Sequence, residues 1–312
     1  MRILMNKWVG GAWGFITTSI INALRDKGHV VERYDGQEDQ WHRFDPDIYI
    51  GCSGHKQPIP LRRRAQVAIH VNPFGPVDLK NINESTDDIE WVKRQNPDAV
   101  FGYGTQNDSI FWSYWTQKLG IPWVPMPTAG DKTIFSDLKQ DRPYDLIYLG
   151  GRWPYKALTI DKFLIPVLDN TKNYKVHGWG EWPEKYGVSG IDDKDVNQFL
   201  NSGRVGPCMS EAHTQAYGID IPERAFKLVL SGVLAIHDPV PTIKSIVPSM
   251  IVARDSKDYY DLIIHYIENP DEASEVAGRQ LADVLKANTY HHRCAALLKT
   301  LGHTTQSEDM VS

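Results

Sequence analysis

"TAGDKTIFSDLKQDRPYDLIYLGG", residues 128–151, decides how the chain is organised. Residues 128–143 are dominated by charge and turn formers and read as a polar linker. The remainder, 144–151, is an apolar run of strand character that stops at Gly150 and Gly151. A fresh strand after a polar break starts the pattern a second time. Upstream, "RILM", "HVVERYDG", "DIYIGCSG", "AQVAIHVNPFG", "DAVFGYG" and "PWVPMP" read as strands. They alternate with helical spacing in "FITTSIINALRDKG", "TDDIEWVKRQN" and "QNDSIFWSYWTQKLG". Downstream, "YKVHGWG", "RVGPCM", "VLAIHD" and "SMIVA" are strands, separated by helices over "ALTIDKFLIPVLDN", "DKDVNQFLNSG" and "ERAFKLVLSG". The stretch "SEAHTQAYGIDIPER" (210–224) reads as a loop. A helical tail follows, broken near Asn269-Pro270, and residues 303–312 read as a frayed end.

Alternation of this kind predicts an α/β fold with parallel sheets. We expect two Rossmann-like domains, 1–135 and 136–285, then a helix and frayed tail over 286–312. Ligands of such sheets bind at the carboxyl ends of the strands, so a cleft between the two domains is the expected site.

Composition narrows the function. The 312 residues are 41% hydrophobic and 23% charged, ordinary for a chain that buries a full core. A net charge of −5 supplies no global field for nucleic acid or anionic lipid. Cys52, Cys208 and Cys294 are too scattered for a disulfide framework or a zinc site and suit a reducing cytoplasm. No stretch approaches the apolar length of a membrane span or a signal-peptide core.

The densest chemistry lies in the second half. Gly150 and Gly151 give a flexible exit from a strand, with the cations Arg152 and Lys156 just beyond. Two cations at a strand's carboxyl end suit a diphosphate. The 210–224 stretch brings His213 to the same edge and delivers the chain to Glu223 and Arg224 at a helix start. Free N–H groups there attract anions, Arg224 completes a phosphate clamp, and the Glu223 carboxylate accepts ribose hydroxyls. Taken singly, each of these residues is equally a solvated charge or a helix cap. Their convergence on one predicted edge favours a nucleoside diphosphate.

The first half offers less. Gly10, Gly11 and Gly14 form a loop after the first strand that lines an acceptor side. A dinucleotide fingerprint would need glycine where Val9 stands, so an NAD-dependent oxidoreductase rests on this loop alone. Arg62, Arg63 and Arg64 are a charge run that is either solvated or placed on nucleic-acid phosphate. His55, His70 and Asp108 each sit at or after a strand end and are candidates for a general base.

Four stretches together resemble the CgeB-like glycosyltransferases of the GT-B class: "YDLIYLGGRW", "YKVHGWGEW", "YGIDIPERAFKLVLSGVLAIHD", and the closing helices with Thr289, Tyr290 and Arg293. The resemblance spans about 144–301, and "PMPTAGDKTIFS" is similar to the linker of that class. It implies a sugar moved from a nucleoside-diphosphate sugar, a UDP-sugar first among them, to an acceptor hydroxyl. No permanently bound cofactor and no metal are implied, because basic side chains and a helix start hold the leaving diphosphate. Some enzymes of this fold modify hydroxymethylated bases in phage DNA, which keeps nucleic acid among the acceptors. One departure stands out: many of these enzymes carry a ribose-binding glutamate where this chain has Lys227. The ribose role then passes to Glu223, and Lys227 either adds a phosphate contact or faces solvent. A non-catalytic nucleotide- or sugar-binding protein with a degenerate site is the alternative that Lys227 supports.

Overall fold

The structure is a computed structural model, describing residues 1–6, 11–60, 64–71, 86–102, 104, 116, 120–218 and 221–303. The chain forms two compact units, residues 1–127 with 290–312, and residues 128–289.

In the first unit six strands make one sheet: β1 (Arg2–Asn6), β2 (Val30–Tyr34), β3 (Ile48–Cys52), β4 (Gln66–His70), β5 (Ala99–Gly102) and β6 (Trp123–Pro125). Their order is β2-β1-β3-β4-β5-β6 and every pair is parallel. All residues of β3 and β5 are buried, the mark of a parallel sheet covered on both faces. The helices α1 (Gly11–Asp26), α2 (Glu38–Phe44) and α3 (Thr86–Gln95) belong to this unit. Only α2 is not anticipated by periodicity. It forms because Trp41 and Phe44, three residues apart, both bury, and Trp41 meets the rings of Tyr34 and Tyr49 at 5.7 and 5.3 Å.

The second unit carries β7 (Tyr144–Leu149), β8 (Tyr174–His177), β9 (Gly203–Cys208), β10 (Leu234–His237) and β11 (Ile251–Val252). Their order is β11-β10-β9-β7-β8, again wholly parallel. Helices α4 (Pro154–Phe163), α5 (Ile165–Asn170), α6 (Val196–Leu200), α7 (Ala212–Tyr217), α8 (Arg224–Leu230), α9 (Ser256–Glu268) and α10 (Pro270–Ala287) complete it. The expected single helix over "ALTIDKFLIPVLDN" is two, because Pro166 cannot continue the first and starts the second. The expected loop over 210–224 contains α7, closed by Gly218 at φ 69°. Buried Gln280 of α10 brackets β10, accepting from the Ala235 N–H at 3.0 Å and donating to its carbonyl at 2.9 Å.

Two expectations about boundaries change. The segment 128–143 is no free linker, since Thr128, Ala129, Asp131 and Phe135 are buried. A side chain on Gly130 would meet Leu230 at 2.6 Å, and Asn201 ties down Ser136 and Leu138 by bonds of 2.9 and 2.8 Å. Residues 128–135 therefore group with the second unit. The last helix, α11 (Tyr290–Thr300), groups with the first. His291 lies 2.9 Å from Asp26, Arg293 Nε donates to the Pro127 carbonyl at 3.0 Å, and Gln66 donates to Leu301 at 3.0 Å.

Both sheets reverse their strand order beside their first strand, between β1 and β3 and between β7 and β9. At such points the flanking connections leave in opposite directions and open a crevice at the carboxyl ends. Among the described residues no helix is long and apolar enough to cross a membrane.

Candidate functional site

At the β7–β9 reversal the crevice is occupied by one guanidinium. Arg224 Nε donates to the Leu149 carbonyl at the end of β7. Its Nη1 donates to the Met209 carbonyl just past β9, at 3.4 Å. Its carbon lies 4.6 Å from the Tyr148 ring centre, a cation–π contact. The third nitrogen, Nη2, makes no hydrogen bond among the described residues and points at Gly150. Beneath it the Tyr148 hydroxyl is fully buried with no hydrogen-bond partner among those residues. Burial raises its pKa, so it stays a neutral O–H donor.

Gly150 is required here by packing rather than by a flexible exit. A β-carbon on it would lie 2.3 Å from Arg224 Nη2 and 2.7 Å from the Tyr148 oxygen. Lys156 is buried on α4, its ammonium 5.1 Å from the Trp153 ring centre. Burial pushes the Cys208 thiol at the end of β9 up to about 12, while the charges of Arg224 and Lys156 act on it in the opposite sense.

Other expected donor residues behave differently. Arg152 does not face the crevice: its guanidinium holds both oxygens of Asp161, at 3.0 and 2.9 Å, and the Glu181 carbonyl. Lys227 does not face solvent: it is 7% exposed, 2.7 Å from Glu223 Oε2, and over the Phe135 ring at 5.3 Å. Glu223 is buried with it, so the cation at the departing position neutralises the acid meant for ribose. The start of α8 is also not an open anion cradle. The N–H groups of Ala225, Phe226 and Lys227 donate to Pro222 and Glu223 carbonyls at 3.1 Å each. What faces the crevice is the Arg224 side chain. His213 lies in α7, and its side chain is outside the described residues.

Beside this crevice lies a buried cluster that sequence reading overlooks. The Asp238 carboxylate, wholly buried after β10, accepts from Ser210 N–H at 2.8 Å, Ser210 Oγ at 3.0 Å, Gln215 Nε2 at 2.7 Å and His237 Nδ1 at 2.8 Å. Burial pushes its pKa up, but these donors outweigh burial and hold it below the ordinary carboxylate value. Ser210 follows Met209, so the cluster fixes the carbonyl that holds Arg224. The sequence signal was a polar His-Asp pair at the carboxyl end of an apolar strand.

In the first unit the β1–β3 reversal brings together Asn6 and His55. Asn6, fully buried, donates its side-chain amide to the His55 carbonyl at 2.6 Å, and the His55 side chain is exposed. His70 is 1% exposed, 3.7 Å from Cys52 Sγ and edge-on to Phe101 at 5.3 Å. That is a core position. Asp108, Gly10, Arg62 and Arg63 lie outside the described residues. Arg64 is exposed, and Gly11 and Gly14 are in α1 rather than in a loop. Among the described residues no group of three or more His, Cys, Asp or Glu is arranged to hold a metal.

The profile of a family described as "Glycosyl transferase-like" matches residues 156–299, just under half of the chain. No curated protein matches in sequence. Among solved structures, T4 phage BGT in complex with UDP-glucose is similar at TM-score 0.67 and 12% identity, covering 97% of this chain and 100% of that one. Sucrose-phosphate synthase from Thermosynechococcus elongatus is similar at TM-score 0.65 and 9% identity, covering 96% and 98%. A trehalose-6-phosphate protein from E. coli bound with UDP-2-fluoro glucose matches at TM-score 0.65 and 10% identity, covering 96% and 99%. The fold is GT-B: two parallel-sheet α/β domains with a helical C-terminal segment.

Proposed function

We propose that the chain is a CgeB-like glycosyltransferase that moves a sugar from a UDP-sugar to an acceptor hydroxyl. The observation that carries the reading is Arg224 at the β7–β9 reversal, held by two strand-end carbonyls with Nη2 left toward Gly150. A fixed guanidinium with a nitrogen to spare suits the oxygens of a diphosphate. Solved structures of the same fold carrying UDP-glucose or its fluoro analogue support the choice of nucleotide. In the reaction the acceptor oxygen bonds to the anomeric carbon while that carbon's bond to the diphosphate oxygen breaks. The electron pair leaves with the diphosphate, whose growing charge Arg224 meets. The acceptor proton passes to a base in the first unit, acting inside the cell, where the three buried thiols stay reduced.

His55 is our choice for that base, because it is exposed at a strand reversal while His70 is packed in the core. His55→Ala should lower kcat by about 10²-fold or more with UDP affinity unchanged. His70→Ala should instead lower the melting temperature. Equal kcat in wild type and His55→Ala would remove His55 from this role.

Calorimetry with UDP, GDP and NAD tests the nucleotide. UDP should bind, and Gly150→Ala should weaken it about tenfold, or about 1.4 kcal/mol, by displacing Arg224. Failure of any nucleoside diphosphate to bind would sink the proposal, and NAD binding would favour the oxidoreductase reading. UDP binding without hydrolysis or transfer from UDP-glucose would return the non-catalytic alternative. Transfer should survive EDTA, since basic side chains take the place of a metal; one solved T4 BGT form holds UDP and Mn2+, so added Mn2+ is the matching control. For the acceptor, hydroxymethylated DNA is the first substrate to test. A DNA modifying β-glucosyltransferase shares the fold, and Arg62, Arg63 and Arg64 stand in the first unit. Mass spectrometry would show the added sugar, and binding should weaken with salt.

A further inference from the structure

We propose that the outer face of Trp179 is a seat for a neutral saccharide ring, separate from the Arg224 crevice. Trp179 follows β8 and is 62% exposed, yet its ring is packed against neighbouring residues. Its indole stacks on Trp153 at 5.2 Å and 10°. The two loops beyond β7 and β8 are zipped together beneath it. Gly150 donates to His177 at 2.9 Å, Arg152 to Trp179 at 2.8 Å and Glu181 to Arg152 at 3.1 Å. Arg152, locked on Asp161, pins the same turn.

Three glycines make this mounting feasible. A β-carbon on Gly151 would lie 2.4 Å from the Trp179 ring. One on Gly178 would lie 2.1 Å from the Gly150 carbonyl oxygen, and one on Gly180 would lie 2.2 Å from that of Arg152. Solubility and folding do not call for a large apolar ring held rigidly in water. A binding face does, because a ring already fixed loses little entropy when a ligand stacks on it.

The occupant follows from the charges around it. Arg152 is held by Asp161, Lys185 by Asp169, and Lys156 is buried against Trp153. Glu181 and Glu184, two and five residues on, are exposed carboxylates. A phosphate-bearing ligand would meet negative charge here. A sugar ring would lay its weakly positive C–H groups on the negative indole face and donate hydroxyls to carboxylates. The seat is also close to the crevice. Gly150 touches Arg224 and Gly151 touches Trp179, and adjacent Cα atoms are 3.8 Å apart, so guanidinium and indole lie within about 12 Å.

The test is saturation-transfer NMR and tryptophan fluorescence with cellobiose, maltose and N,N′-diacetylchitobiose, with uridine as the control. Wild type should bind at least one disaccharide. Trp179→Ala should lose about tenfold or more of that affinity, and Trp179→Phe should keep part of it. UDP affinity at Arg224 and the melting temperature should stay as in wild type, so the result is independent of the nucleotide reading. The proposal is overturned if no disaccharide binds wild type, or if binding survives Trp179→Ala. Stacking of uridine in place of a disaccharide would equally overturn it.

Discussion

Arg224→Gln should lower kcat/KM for transfer from UDP-glucose by about 30- to 1,000-fold, corresponding to about 2–4 kcal/mol of transition-state stabilisation. The guanidinium is half-buried, fixed by two strand-end carbonyls, and meets charge that grows as the diphosphate leaves. Part of the loss should appear as weaker UDP binding and part as lower kcat, because the attraction strengthens along the reaction. Glutamine is the informative replacement. It still offers a donor to Leu149 or Met209, whereas Arg224→Ala would leave both carbonyls without it and cost stability as well. Arg224 is therefore not the solvated cap-and-pair residue that its place at a helix start suggests. Calorimetry with UDP beside initial-rate kinetics reads both components. Wild-type affinity and wild-type kcat in a folded Arg224→Gln would remove the residue from the donor site.

Asp238→Ala should destabilise the fold by about 3–5 kcal/mol, the cost of stranding buried partners of a removed charge. Four donors would lose their acceptor at once: Ser210 N–H, Ser210 Oγ, Gln215 Nε2 and His237 Nδ1. Asp238→Asn preserves the shape but puts an N–H where an acceptor is needed, so it should lie between. The pH dependence has a definite sign. The folded-state pKa is depressed, so Asp238 contributes stability above the unfolded carboxylate value of about 3.9 and loses it as pH falls through its lower folded value. Urea titrations from pH 6 down to 2 should show a shallower acid loss in Asp238→Asn than in wild type. Identical acid slopes would mean that another carboxylate dominates.

Much of the architecture was legible without coordinates. The restart at "YDLIYLGG" and the break at Asn269-Pro270 coincide with element boundaries, and the expected strands "DIYIGCSG", "RVGPCM" and "VLAIHD" run one or two residues past the observed ends at Cys52, Cys208 and His237. These features are local: each is a run of apolar residues stopped by glycine, proline or a polar residue, and such signals need no partner. The polar run 128–143 misled for the same reason. Its charges are local and visible, but burial of Phe135 and the contact of Gly130 with Leu230 depend on residues far along the chain.

The site divides along the same line. Periodicity and strand ends, read from the chain alone, predict Arg224, Lys156 and the glycine pair at the carboxyl edge of one sheet. They could not tell which cation faces the crevice. Arg152 and Arg224 are equally basic in sequence, yet one is held by Asp161 and the other by two carbonyls, leaving a nitrogen toward Gly150. Nor could they show that Lys227 neutralises Glu223, or that Gly151 makes room for Trp179. Hydrophobic pattern fixes where a strand ends because burial is a property of each residue and its neighbours. The direction of a charged side chain is settled by which opposite charge, carbonyl or ring the folded chain brings within about 3–6 Å of it, and only tertiary packing supplies that partner.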